Sequence, residues 1–244
     1  MKWPLLLLVL FSSTIALSQK VKKIIVDDYD LFCKHEYYVL KKDKTVKHGP
    51  YKSTWVTGNP REEGYFKMGL KDSLWTYFDP LRPIIASRGY YENDKKVGIW
   101  EYYDEKEQIM HRYNHSNHYL SYTTYTDTTL KHTIRLNDSI MDVKLQRPPI
   151  YLLGEKSKFR VIQDNIKYPQ RAIEENIYGT VRISFYIDLE GNAIEHEFIN
   201  QIGGGCDEEA MRVVKLIPNE WIPAVYNNKE VEVRIVLPIT FVLN

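Results

Sequence analysis

The last thirteen residues before the terminal asparagine constrain this chain most. From Val231 to Leu243, Val231, Val233, Ile235, Leu237, Ile239, Phe241 and Leu243 are apolar, while Glu232, Arg234, Thr240 and Asn244 take the other parity. A period of two is the signature of a strand with one face in a core and the other in water. Pro238 has no N–H to give to a ladder, so the run is expected to be an edge strand. An edge offers unpaired backbone groups, which are either protected or used to take up a partner's extended segment.

A second constraint lies in the first half. Gly64-Tyr65-Phe66 through Trp75-Thr76-Tyr77-Phe78-Asp79 returns 25 residues later as Gly89-Tyr90-Tyr91 through Trp100-Glu101-Tyr102-Tyr103-Asp104. A weaker copy precedes them at Lys47-His48-Gly49-Pro50-Tyr51, and a fraying one follows around Ile109 to His118. Met68-Gly69 and Asn93-Asp94 suit two-residue turns, and the flanks rich in Tyr and Trp prefer strands, so each unit reads as one hairpin. One hairpin cannot bury its own aromatic face, so neighbouring units must join into a continuous sheet. The pattern over residues 37 to 118 resembles a MORN-repeat array, which implies a scaffold or interaction surface and no chemistry.

Thirty-three basic and 32 acidic side chains leave a net charge of +1, which gives no field to draw in nucleic acid. Residues 1–18 carry Lys2, an apolar run and a small-residue end at Ala16-Leu17-Ser18. They read as a signal peptide and place the mature protein in the periplasm; an uncleaved segment would anchor it in the inner membrane instead. Residues 19–118 are then the hairpin repeats, and 119–150 a β-rich connector ending at Pro148-Pro149. Cys33 and Cys206 fall in different halves and read as buried free thiols. His111, His115 and His118 would cluster on a helix, but they lie in hairpin sequence with no accompanying cysteine or carboxylate, so no metal site and no cofactor is expected.

Residues 151–244 give the order α, α, β, β, α, β. Ser157 is expected to cap a first helix, and Pro169 to open a second. Strands follow around Val181 to Ile187 and Ala193 to Ile202, the latter with broken parity that calls for a bulge. Asp207 is expected to cap a helix with an Ala210, Val213, Val214, Ile217 stripe. The fold class is α+β, a small antiparallel sheet packed on helices behind an all-β array.

Tyr168-Pro169 with Ala172, Gly179-Thr180-Val181, Phe185, Asp188, Glu190-Gly191, Asp207-Glu208-Glu209-Ala210, Arg212-Val213-Val214, Pro218, Trp221-Ile222-Pro223, Val231, Pro238-Ile239 and Phe241 stand in this order and spacing. Together they resemble the TonB C-terminal domain. The resemblance implies a periplasmic module that pairs a strand with the TonB box of outer-membrane TonB-dependent receptors. On this chain the implied peptide-binding residues are Tyr168 and Pro169 with Val231, Glu232, Val233, Arg234, Ile235, Val236 and Leu237. The Pro/Lys-rich spacer of a TonB energy transducer has no counterpart here, and the repeat array stands in its place. The other role open to the edge is self-association, which would make the protein a homodimeric envelope scaffold. Neither cysteine carries a histidine motif that suggests a nucleophile, and no Gly-x-Ser-x-Gly or His-Glu-x-x-His run is present, so no enzyme is expected.

Overall fold

Left-handed backbone at paired positions sets the first half of the structure. Met68 (φ 54°) and Gly69 (φ 90°), and 25 residues later Asn93 (φ 51°) and Asp94 (φ 65°), close two-residue turns of the kind whose twist matches flanking strands. The computed structural model describes residues 19–125, 128–137 and 139–243. The signal-peptide reading of residues 1–18 therefore lies outside the described residues.

Nine strands follow in chain order: β1 (Val21–Asp28), β2 (Cys33–Leu40), β3 (Lys47–Trp55), β4 (Pro60–Lys67), β5 (Leu70–Phe78), β6 (Ile85–Glu92), β7 (Lys95–Tyr103), β8 (Ile109–Asn114) and β9 (Tyr119–Thr123). Each pairs antiparallel with the next, giving one long meander of the kind the aromatic hairpins require. The repeat has a packing cause. A Cβ on Gly64 would lie 2.3 Å from the Trp75 ring, and one on Gly89 would lie 2.3 Å from Trp100. Each glycine is the floor on which the tryptophan of the following strand rests. Above the rings, Lys71 Nζ sits 4.0 Å from the Trp75 centroid and Lys96 Nζ 4.6 Å from that of Trp100, so each aromatic unit is sealed by the stem and charge of a lysine.

Toward the far end of this sheet, His111 is buried against Thr123, and His115 lies edge-on to Trp100 with its Nε2 2.9 Å from the Tyr102 hydroxyl. Burial pushes His111 down to about 4 and His115 to about 3. Both are neutral in the folded protein at pH 7 and bind protons more readily when unfolded, where the usual value is about 6.5. Their contribution is intact above pH 6.5 and lost as pH falls toward 4. Each histidine is expected to cost about 1.4 kcal/mol per pH unit inside that window. Urea unfolding at pH 7 and pH 5 checks this; equal midpoints in wild type, or no flattening of the difference in His111→Gln, would contradict it.

A second sheet is built on the C-terminal third. Its elements are β10 (Lys131–Leu136), β11 (Ser139–Lys144), α1 (Glu155–Asn165), α2 (Gln170–Glu174), β13 (Gly179–Ile187), β14 (Ala193–Asn200), α3 (Cys206–Val214), β16 (Ala224–Tyr226) and β17 (Lys229–Phe241). The order is β11-β10-β17-β13-β14, with β16 also pairing β17. Val181, Ile183, Phe185, Val233, Leu237, Ile239 and Phe241 form the core with Ala210, Val213 and Val214 of α3. The bulge expected in β14 is present: Glu195 has φ 52° and the β13–β14 register shifts between Ser184 and Tyr186.

The expected helix caps are corrected. Gly154 precedes α1 with no side-chain cap, and Ser157 lies within the first turn. Gly205 precedes α3, and Asp207 is inside the helix and buried. Its carboxylate accepts from the amides of Ile202 (2.8 Å) and Gly203 (2.9 Å), so it closes the preceding glycine turn instead of the helix end.

A two-stranded ribbon, β12 (Ile150–Tyr151) with β15 (Trp221–Ile222), joins the halves. Strand alternation turns Ile150 and Ile222 into the aromatic core of the first sheet, and Tyr151 and Trp221 into the core of the second. Ion pairs Lys96–Glu220, Arg160–Asp79 and Lys156–Glu105 surround this seam.

Candidate functional site

The site the sequence singled out is the outer edge of β17. Along its inner side β17 pairs with β13 over its last nine residues, from Val233 opposite Ile187 to Phe241 opposite Gly179. Along its outer side the expected open edge from Val231 to Leu237 is corrected. On that side β10 takes Glu232 and Val233 through Arg135 and Ile134, while Lys229 to Val231 pair with Ala224 to Tyr226 of β16 on the side that β13 takes further along. The chain's own connector thus occupies the stretch where a partner was expected. From Arg234 to Phe241 no strand among the described residues pairs with the outer side.

Backbone parity decides what that open stretch offers. The Arg182 amide donates to Asn200 Oδ1 on β14, so it points away from β17. Its partner across the ladder is Pro238, whose backbone therefore points to the open side as well. The missing N–H of Pro238 costs the sheet nothing, which is why a proline sits in a strand that is central at one end and an edge at the other. By the same alternation the amides of Arg234, Val236 and Thr240 face outward.

The closed part of the edge is held by a hydrophobic and an ionic contact. Ile134 is fully buried in the second core. Arg135 lies over the Tyr186 ring at 4.2 Å and donates to Glu232 (3.0 Å) and Glu195 (3.0 Å). The bond from Arg135 holds the Glu195 carboxyl below the usual carboxylate range. On the open part, Arg234 donates to Ser184 Oγ at 2.8 Å and Val236 is exposed.

Tyr168 and Pro169 lie at the other end. The Tyr168 ring meets Phe241 edge-on at 5.5 Å and its hydroxyl donates to the Ile177 carbonyl at 2.7 Å. Pro169 forms the entry to α2 and packs beside Gly205. Val231 and Phe241 are ten residues apart on one strand, roughly 33 Å. The sequence-derived residues are thus not at one point: Glu232 and Val233 are covered by β10, Arg234 to Leu237 are open, and Tyr168 and Pro169 lie off the strand at its far end.

Residues 164–243 match the family model of the Gram-negative bacterial TonB protein C-terminal. This segment is a TonB C-terminal domain. That domain type ties the protein to outer-membrane transport. No curated protein and no solved structure matches the chain. The nine-stranded sheet ahead of the TonB domain is consistent with a MORN-like array. No helix of the described residues is long and apolar enough to cross a membrane.

Two other places were weighed against the edge. A cleft of about 690 Å³ lies where the halves meet, lined by Tyr77, Tyr91, Lys96, Arg160 and Glu220; Lys96 and Arg160 are already engaged there with Glu220 and Asp79. His111, His115 and His118 face three different hydroxyls, of Thr123, Tyr102 and Tyr113.

The expectation that neither cysteine has a histidine partner is also corrected. Cys33 Sγ lies 3.2 Å from His35 Nε2. The signal was Cys-x-His on a strand, which puts both side chains on one face. Both Cys33 and Cys206 are free thiols.

Proposed function

We propose that this chain is an exported TonB-family protein that takes up an extended segment of an outer-membrane receptor, of TonB-box type, by strand addition along Arg234 to Phe241 of β17. The observation that carries the reading is the row of outward amides at Arg234, Val236 and Thr240, beyond the point where β10 ends its pairing. Main-chain bonds along such a row supply affinity, and alternate side chains supply selectivity. The mature protein acts in the periplasm and does no chemistry of its own. The MORN-like array serves as a platform fixed to the TonB domain by the β12–β15 ribbon, where a transducer would carry a flexible spacer.

Val236→Pro tests this. It removes one outward N–H, at the same parity as the native Pro238, and leaves the β13 ladder intact. A fluorescently labelled TonB-box peptide titrated by anisotropy is expected to bind wild type and to bind Val236→Pro at least tenfold more weakly, with unchanged circular dichroism. Equal binding by both proteins would sink the assignment of this edge. Dimerisation that Val236→Pro abolishes, with no peptide binding by wild type, would give the edge to a second copy and support the scaffold reading.

A further inference from the structure

The first hairpin of the N-terminal sheet gathers a set of donor atoms that neither the strand edge nor the TonB domain explains. Asp28 ends β1, and Cys33 begins β2 directly across the ladder from it. His35 lies two residues on, on the same face. Among the described residues, Asp28, Cys33 and His35 are the one group of three or more such side chains whose donor atoms, one each, all fall within 4.8 Å of one another. Nε2 of His35 is 3.2 Å from Cys33 Sγ and 3.6 Å from Asp28 Oδ2.

Every other polar atom of the three is already engaged. Asp28 Oδ1 accepts from the amides of Asp30 (3.1 Å) and Leu31 (2.9 Å), which leaves Oδ2 to face the histidine. Tyr51 donates its hydroxyl proton to Glu62 Oε1, so at 2.9 Å from His35 Nδ1 the same oxygen can only accept. A ring proton on Nδ1, given to that oxygen, leaves Nε2 to face the sulfur and the carboxylate. Arg61 Nη1 donates to Cys33 Sγ at 3.3 Å and its guanidinium is stacked on Trp55. Three atoms able to donate electron pairs, one from each side chain, then converge beside Arg61.

We infer that Asp28 Oδ2, Cys33 Sγ and His35 Nε2 form a binding site for a borderline divalent cation of the Zn²⁺ class. Thiolate, imidazole and carboxylate are the donors that such an ion prefers, and three protein ligands leave the fourth tetrahedral position to water. Bond lengths of about 2.3 Å to sulfur and about 2.0–2.1 Å to nitrogen and oxygen put tetrahedral ligand atoms about 3.3–3.6 Å apart, close to the two spacings that His35 Nε2 makes. The partly exposed Asp28 side gives the ion its way in, while Cys33 is 1% exposed. The ion would staple the end of β1 to the start of β2.

Cobalt(II) titrated into the protein is the probe. A thiolate-to-cobalt charge-transfer band is expected at one equivalent, displaced by Zn²⁺, absent in Cys33→Ser and kept in Cys206→Ala. Tyr51→Phe frees Nδ1 from its acceptor without touching a ligand atom, and is expected to weaken the metal 10–100-fold with the fold retained by circular dichroism. Zn²⁺ should also raise the melting temperature of wild type and leave that of His35→Gln unmoved. No band in wild type, a band that survives in Cys33→Ser, or one lost in Cys206→Ala would each overturn the assignment.

Discussion

Replacing Trp100 by alanine is expected to destabilise the N-terminal sheet by about 3–5 kcal/mol. The indole is fully buried. It lies edge-on to Tyr91 at 5.1 Å and to His115 at 5.9 Å, and tilted against Tyr77 and Tyr102 at 6.1 and 6.4 Å. Its Nε1 donates to the Tyr90 carbonyl at 3.1 Å. Below the ring there is only Gly89, so no side chain can move up into the space the ring leaves. Above it, Lys96 loses the ring face that steadies it while its partner Glu220 stays in place.

The same core takes Ile150, Leu152 and Ile222 from the ribbon, so loosening it also loosens the hold on the TonB domain. Urea unfolding is expected to separate into two transitions, the N-terminal one earlier. The glycine floor gives a second readout. Gly89→Ala alone drives a methyl into the ring; in the Trp100→Ala background the same methyl helps fill the cavity. The two losses should therefore fall short of adding, by a coupling on the order of 1–3 kcal/mol. Additive losses, or a single-variant loss under about 1 kcal/mol, would show that the ladder of rings is not what holds this sheet.

The period of 25 made the first sheet legible because glycine and tryptophan face each other across one turn, and local sequence contains both halves of that contact. The order of elements in the TonB domain was legible for a similar reason: parity and helical spacing report burial on the element itself. What failed were contacts made from outside an element. Asp207 satisfies cap chemistry, yet it bonds Ile202 and Gly203 behind it, because the three glycines let the chain fold back over its carboxylate. Nothing local marks the ribbon, since Ile150 and Ile222 acquire meaning only when the aromatic core is beside them. Closure of the edge at Glu232 and Val233 is not legible because the strand's own pattern says which face is buried and nothing about which neighbour lies alongside. Arg135 and Glu232 are 97 positions apart, and no local pattern connects them.

That hairpin decides how long the edge is, which leads to the other large effect. Ile134→Ala is expected to release β10 and β11 from β17 while the β13–β17 ladder stays closed. β10 is held by two residue pairs, by the buried Ile134 side chain and by the ion pairs of Arg135. Removing the buried side chain costs about 2–5 kcal/mol, whereas the ion pairs are partly exposed and such surface pairs are worth about 0–1 kcal/mol. The apolar anchor therefore dominates the docking, and Arg135→Ala alone should change little. Release turns the Glu232 amide and carbonyl outward and lengthens the open edge by one bonded pair, so the labelled peptide should bind roughly five- to tenfold more tightly, the worth of about 1 kcal/mol per bond. Hydrogen exchange across residues 131–144 reports the release and anisotropy reports the affinity. Fast exchange with tighter binding would make the hairpin a competitor for the partner's strand. Fast exchange with binding lost would instead make β10 part of the docking surface and move the site away from the open stretch beyond Arg234.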